Sequence, residues 1–370
     1  MFISARLQSF FSLNALLKVQ SISKNFIINK SFWQPRKQIE GWQQQERHLK
    51  AVDNVSFELE VGKVLVIAGQ SGSGKTTLAK LVIGAIKPDE GSISFNGQAV
   101  SSLAGRELKH FRSQVHMVYQ DPYASLDPRM RIMDIVMEPL NIHDKKSTKQ
   151  QKVDKVFKAL EEVRLEPKEI IAKKFPRELS GGQRQRVALA RAIVLKPKLI
   201  VADEPVSMLD VSVRAEILEL IMNLKERFQI SFIYITHDLS TARYVGDKII
   251  VMYKGQIVEE GPIDDVLLNP LHPYTQALID AIPDPDKILA TWSTSDKDVD
   301  DHSKEIKKLA RISSDPESLS ILEGCKYYSR CPFSMEVCRK APALVKVVDS
   351  HYASCFLYEN RRNDFGATND

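Results

Sequence analysis

The chain has 370 residues, of which 43% are hydrophobic and 27% charged, with only 16 glycines and 17 prolines. That length predicts one domain of ordinary size plus a smaller appendage, and the composition excludes collagen-like, disordered and low-complexity classes. The net charge of +5 is spread along the sequence, so no nucleic-acid partner is implied, and the longest apolar runs fall far short of the roughly 18 residues a membrane span needs.

In chain order, residues 1–17 read as an N-terminal extension. The run Phe10 to Leu17 lacks the charged start, clean apolar stretch and small-residue cleavage site of a signal peptide. Leu49 to Glu60 nearly alternates apolar and polar residues, and Lys63 to Ala68 is continuously apolar, so both are expected strands ahead of a glycine-rich loop. Between Tyr123 and Glu178 helical spacing takes over, as in Val153, Val156, Leu160 and Val163, predicting a helical insertion over about 123–178. Further strands are expected at Leu199 to Ala202, Ser231 to Thr236 and Lys248 to Met252. They are separated by helices at Gly181 to Leu195, Val211 to Phe228 and Leu239 to Tyr244. Strands alternating with helices predict an α/β fold with a parallel sheet covered on both faces. Residues 284–316 are polar and read as a linker, which leaves 317–370 as a small unit holding all four cysteines. Cysteines confined to one end point to a reducing compartment and a local metal site rather than a disulfide framework.

Gly69-Gln70-Ser71-Gly72-Ser73-Gly74-Lys75-Thr76 fits the phosphate-loop pattern, after one predicted strand and before a helix expected from Thr77 to Ile86. Glycines let backbone N–H groups curl around phosphate oxygens, Lys75 reaches the β and γ phosphates, and Thr76 offers a hydroxyl to Mg²⁺. Four further segments narrow the class. Leu179-Ser180-Gly181-Gly182-Gln183 precedes a helix, and Leu199 to Glu204 is an apolar strand ending in two carboxylates. Gln120 lies in Val118-Tyr-Gln-Asp-Pro122, and His237 in Ile235-Thr-His-Asp238.

Over residues 18–283 this ordered set resembles the ATP-binding subunit of ABC transporters. The resemblance implies a P-loop ABC ATPase cassette with an antiparallel β part and a helical insertion. It implies ATP and Mg²⁺ as cofactors, with Thr76, Gln120 and Asp203 at the metal and Glu204 as general base. His237 would grip the γ-phosphate. Thr77 would join residues 69–76 in binding nucleotide, Ser180, Gly181 and Gly182 would act across a dimer on nucleotide held by the partner's loop, and Gln183 and Asp210 belong to the same nucleotide-binding set. Phe26 fits best as the adenine-stacking aromatic, with Trp33 and Trp42 as alternatives and a core role for Phe26 equally open.

Tyr119 to Pro128 and Asn269 to Leu278 resemble the dipeptide and oligopeptide importer branch, which also contains nickel importers. That branch implies a heterodimer with a second ABC ATPase, two transmembrane permease subunits and an extracytoplasmic substrate-binding protein. It places the chain at the cytoplasmic face of the membrane. An ABC exporter ATPase shares the cassette. A chromosome-organising ATPase would instead carry a long coiled coil, but the roughly one hundred residues between Thr76 and Leu179 show no sustained heptads. Finally, Cys325, Cys331, Cys338 and Cys355 are separated by five, six and sixteen residues, a set able to ligate a 4Fe-4S cluster, with zinc and unliganded thiols as alternatives.

Overall fold

The computed structural model describes residues 15–28, 47–281 and 324–363. These form two compact units, Met1–Gln256 and Ile257–Asp370. Most of the expected N-terminal extension, Trp33, Trp42 and the linker 284–316 lie outside the described residues.

In the first unit, β1 (Ala15–Ile28) pairs antiparallel with β2 (Arg47–Glu60). Strand β1 opens inside the expected extension, because Leu16 and Leu17 are buried side chains of this sheet. The apolar run next in sequence is β3 (Val64–Ala68), buried at every position as a central parallel strand must be. Helix α1 (Lys75–Val82) stops short of Ile86 because Gly84 adopts a left-handed φ of +66° just beyond its end. Strands β4 (Glu90–Phe95) and β5 (Gln98–Ala99) complete the antiparallel sheet, ordered β2-β1-β4-β5. Helix α2 (Gly105–Gln114) then leads into β6 (Val115–Val118).

The expected helical insertion is built from α3 (Pro122–Ser125), α4 (Ile132–His143), α5 (Lys149–Glu162) and α6 (Lys168–Ile171). Helix α5 begins at a capping box in which Thr148 and Gln151 satisfy each other's backbone N–H, and it buries Val156, Ala159 and Leu160 along one stripe. After it come α7 (Gly181–Ile193), β7 (Leu199–Asp203), α8 (Val211–Phe228), β8 (Ser231–Thr236), α9 (Leu239–Val245) and β9 (Lys248–Tyr253). The parallel strands are ordered β9-β3-β8-β7-β6. Because they run the same way, the residues following β3, β8, β7 and β6 emerge along one edge of the sheet, where open α/β folds bind ligands.

The second unit contains β10 (Gln256–Pro262), α10 (Ile263–Leu268), α11 (Pro273–Asp280), β11 (Val345–Val348) and β12 (His351–Ala353). Its strands pair antiparallel in the order β10-β12-β11, over a small core of Val345, Val347 and Ala353 packed against Leu271 and Tyr358. Glu259 is fully buried at its centre. Its carboxylate accepts from the backbone N–H groups of Leu271 (2.7 Å) and His272 (2.8 Å) and lies 2.7 Å from His351 Nε2. A buried carboxylate is tolerable only when its lone pairs are used in this way. No described helix is long and apolar enough to cross a membrane.

Candidate active site

The loop between β3 and α1 is shaped by close approach. A side chain at Gly69 would meet the Met252 carbonyl at 2.3 Å, and one at Gly74, where φ is +101°, would meet the Ala51 carbonyl at 2.2 Å. Lys75 is only 5% exposed and folds back over the loop, donating from Nζ to the carbonyls of Gly69 (2.7 Å) and Gln70 (2.8 Å). Burial lowers its pKa, while Glu204 and Asp203 pull in the opposite direction. Ser73 Oγ is buried within this loop and has no hydrogen-bond partner. A cradle too tight for Cβ atoms, a buried ammonium and an unused hydroxyl fit a polyphosphate chemically.

Two strands away, β7 ends at Asp203. Burial raises the pKa of this carboxyl, and the hydrogen bond donated by Thr76 Oγ1 to Oδ2 at 2.9 Å works against that rise. Thr76 and Asp203, a hydroxyl and a carboxylate already in contact at the loop mouth, are a hard oxygen pair suited to Mg²⁺. Glu204 follows in a left-handed conformation with φ +47°, its N–H donating to the Ile235 carbonyl at 2.9 Å. This turn projects the side chain out of the sheet edge. There Glu204 Oε2 accepts from Gln120 Nε2 at 2.9 Å and lies 3.1 Å from His237 Nδ1. Gln120 follows β6 and His237 follows β8, so the strand order gathers three residues distant in sequence around one carboxylate.

Ser180 caps α7, accepting from the Gln183 N–H at 3.2 Å while Gln183 Oε1 accepts from the Ser180 N–H at 3.1 Å. Gly182 is forced by its neighbour, since a Cβ there would meet Val213 Cγ1 at 2.5 Å, and Gly181 faces Leu209. The glycine segment thus packs beside the Asp210 turn, and both Ser180 and Asp210 are exposed. They do not join the group around Glu204. Phe26 is exposed on β1, opposite Leu49 of β2, close in the strand to the Ala51 carbonyl that backs Gly74. Sequence reasoning missed Arg184, a buried guanidinium lying 3.8 Å from the Tyr123 ring centre. Its only sequence signal is its place two residues before another arginine on α7.

In the second unit all four cysteines are free thiols and line one small pocket with His272 and Phe333. Burial raises the pKa of Cys325 and Cys331 and pushes Cys355 up to about 11, with the other thiols adding to the rise at Cys355. Among the described residues, however, no three His, Cys, Asp or Glu side chains are gathered closely enough to hold a metal ion. The expectation of a ready-formed iron–sulfur or zinc site is corrected to that extent. Neutral, desolvated thiols have no charge requiring a cation and do not close up on one another.

A glycine loop at one strand end, with a metal-suited carboxylate and a neighbouring carboxylate held by Gln120 and His237 at another, defines a P-loop nucleotide-binding cassette. The chain matches the ABC transporter family over residues 52–207 and the oligopeptide/dipeptide transporter C-terminal region over residues 258–338. It is 37% identical over 345 residues to the oligopeptide transport ATP-binding protein AppF of Bacillus subtilis, covering 93% of this chain and 97% of that one. It is 36% identical over 344 residues to the di/tripeptide transport ATP-binding protein DppF of Pseudomonas aeruginosa, covering 93% and 98%. Among solved structures, the dimeric ATP-binding cassette MJ0796 bound to ADP and phosphate is similar at a TM-score of 0.57 and 27% identity, covering 67% of this chain and 98% of that one. The chain belongs to the ABC transporter family, within its group of peptide-transport ATP-binding proteins.

Proposed function

We propose that this chain hydrolyses Mg-ATP at a head-to-tail dimer interface to drive peptide import, acting at the cytoplasmic face of the membrane. Its partners in this reading are a second ABC ATPase, two permease subunits and an extracytoplasmic binding protein. The observation that carries the reading is the Glu204 carboxylate, held by Gln120 and His237 beside the Thr76–Asp203 pair. Lys75 and the loop N–H groups bind the phosphates, and Thr76, Asp203 and Gln120 hold Mg²⁺, which when bound offsets phosphate charge. Glu204 accepts a proton from the water attacking the γ-phosphorus as the bond to the bridging oxygen breaks, and His237 steadies the departing phosphate. Ser180 to Gln183 and Asp210, set apart from this group with Ser180 and Asp210 exposed, complete the nucleotide site of the opposing subunit. Phe26 supplies a stacking surface for adenine. Replacing Glu204 by Gln should preserve ATP binding and abolish turnover in the assembled transporter; turnover near the wild-type rate would remove Glu204 from its role.

A second reading concerns the four thiols, and the shared pocket favours it. Cys325, Cys331, Cys338 and Cys355 would hold a 4Fe-4S cluster as thiolates, and the cluster would supply a structural cross-link rather than electron transfer. Protein purified anaerobically should then be brown and carry about four irons per chain. Colourless protein, or protein with one zinc, would refute this.

A further inference from the structure

Helix α3 has only four residues, yet two arginines of α7, the buried Arg184 and the half-buried Arg191, are committed to it. Arg184 stacks its guanidinium on the Tyr123 ring at 3.8 Å, and Arg191 Nη1 donates to the Ser125 carbonyl at 2.9 Å. Two in-plane donors of Arg184 are engaged elsewhere. Its Nε reaches the Pro176 carbonyl and its Nη2 the Leu179 carbonyl, each at 2.7 Å, so it also fixes the loop that ends at Ser180. Immediately before α3 stands Gln120, bonded to Glu204, and the intervening Asp121 caps α3 by accepting from the N–H groups of Tyr123 (2.7 Å) and Ala124 (3.2 Å).

We infer that Tyr123 and Arg184 are a positioning couple that carries the state of Gln120 and Glu204 to the loop presenting Ser180. The inference rests on the proposed division of labour, in which Glu204 serves this chain's own nucleotide and Ser180 the partner's. The contacts form one unbroken line: Glu204, Gln120, the capped turn of α3, the Tyr123 ring, the Arg184 plane, then the carbonyls of Pro176 and Leu179. A packing role alone fits poorly, because Tyr123 is 61% exposed and contributes little buried apolar surface. What the ring does have is a face for a guanidinium whose edge is already bonded. Only arginine offers an edge and a face together; a lysine at 184 would supply a point charge and neither fork nor plane. When Gln120 changes partner on nucleotide binding, α3 shifts with it, and the stack passes that shift to residues 176–180.

Amide hydrogen exchange on the full-length chain, kept monomeric by dilution and saturated with Mg²⁺ and the non-hydrolysable analogue AMP-PNP, reads this coupling without the partner subunit. In the wild-type chain the analogue should slow exchange in residues 69–77 and alter it about threefold or more in residues 176–183. Tyr123→Phe keeps the ring and should retain both responses. Tyr123→Leu should retain the first and lose the second, with unchanged thermal stability, and Arg184→Lys should show the same split between the two segments but with lowered thermal stability, because it also gives up the buried bonds to Pro176 and Leu179. A response at 176–183 that survives in Tyr123→Leu, or disappears equally in Tyr123→Phe, overturns the couple. If 69–77 respond in the wild-type chain and 176–183 do not, the couple fails while the nucleotide site stands. If 69–77 do not respond, the nucleotide-site reading fails and takes the couple with it.

Discussion

Acid should loosen the helical insertion through one histidine. His116 lies on β6, opposite Ile200 of β7, and its Nε2 is sealed from solvent without a partner. Burial pushes its pKa down to about 4, and His143 at the end of α4 and Arg191 of α7 add repulsion, opposed by a backbone hydrogen bond at Ser113. His143 is itself lowered by burial and by Lys109, so the surroundings hold no compensating anion among these groups. The unfolded chain takes up this proton near pH 6.5 and the folded chain only near pH 4, so protonation favours unfolding. The contribution is whole above pH 6.5 and is lost as pH falls through 4. At about 1.4 kcal/mol per tenfold difference in proton affinity, the loss comes to about 3 kcal/mol at most, and to about 1 kcal/mol by pH 5.5. Carboxylates elsewhere also titrate in this range, so the quantity to measure is a difference between proteins. Urea midpoints followed by far-ultraviolet circular dichroism at pH 7.5 and 5.5 should show wild-type losing about 1 kcal/mol more than His116→Gln. Equal losses in the two proteins would refute the reasoning.

Gly74→Ala should cost about 2–4 kcal/mol and weaken nucleotide binding, since its Cβ would meet the Ala51 carbonyl at 2.2 Å from a left-handed backbone; thermal melts and a nucleotide titration test this. Glu259→Ala leaves the N–H groups of Leu271 and His272 and the ring of His351 without their acceptor. It should cost about 3–5 kcal/mol of local stability, read as faster amide exchange in residues 257–281 and 345–353. Gln120→Ala removes the donor to Glu204 but no phosphate contact, so turnover in the assembled transporter should fall tenfold or more, as an order-of-magnitude estimate, with ATP affinity within about threefold of wild type; a pure loss of binding would contradict the assignment.

The signals that sequence carried well were local ones. A glycine loop between an apolar run and a helix is legible because its chemistry is contiguous, and β3, β7 and β8 were legible because central parallel strands, buried at every position, are largely apolar. Strand order is not a local property. The chain visits β3, β6, β7 and β8 in that order but the sheet sets them β3-β8-β7-β6, and it is this rearrangement that brings Gln120, Glu204 and His237 to a common point. The start of β1 was hidden for a similar reason, since Leu16 and Leu17 acquire partners only when β4 and β2 arrive from later in the chain. The thiols likewise reach one pocket from well-separated positions.

Arg184 and Arg186 show most plainly what pattern cannot separate. They stand two residues apart in Gln183-Arg-Gln-Arg, the same side chain with the same local propensity, and two steps along an α-helix turn them about 200° from each other. Arg186 turns to other partners, its Nη1 donating to the Val163 carbonyl at 3.1 Å and its Nη2 to the exposed Glu216 carboxylate at 2.7 Å, where salt would screen the ion pair. Arg184 turns inward, where desolvation makes each of its bonds to Pro176 and Leu179 hard to forgo and leaves one face for Tyr123. Which of the two arginines meets the Pro176–Leu179 loop and Tyr123, and which meets Val163 and Glu216, is therefore set by helix phase relative to the insertion. That phase is fixed only when α3, α4 and α5 have packed on α7.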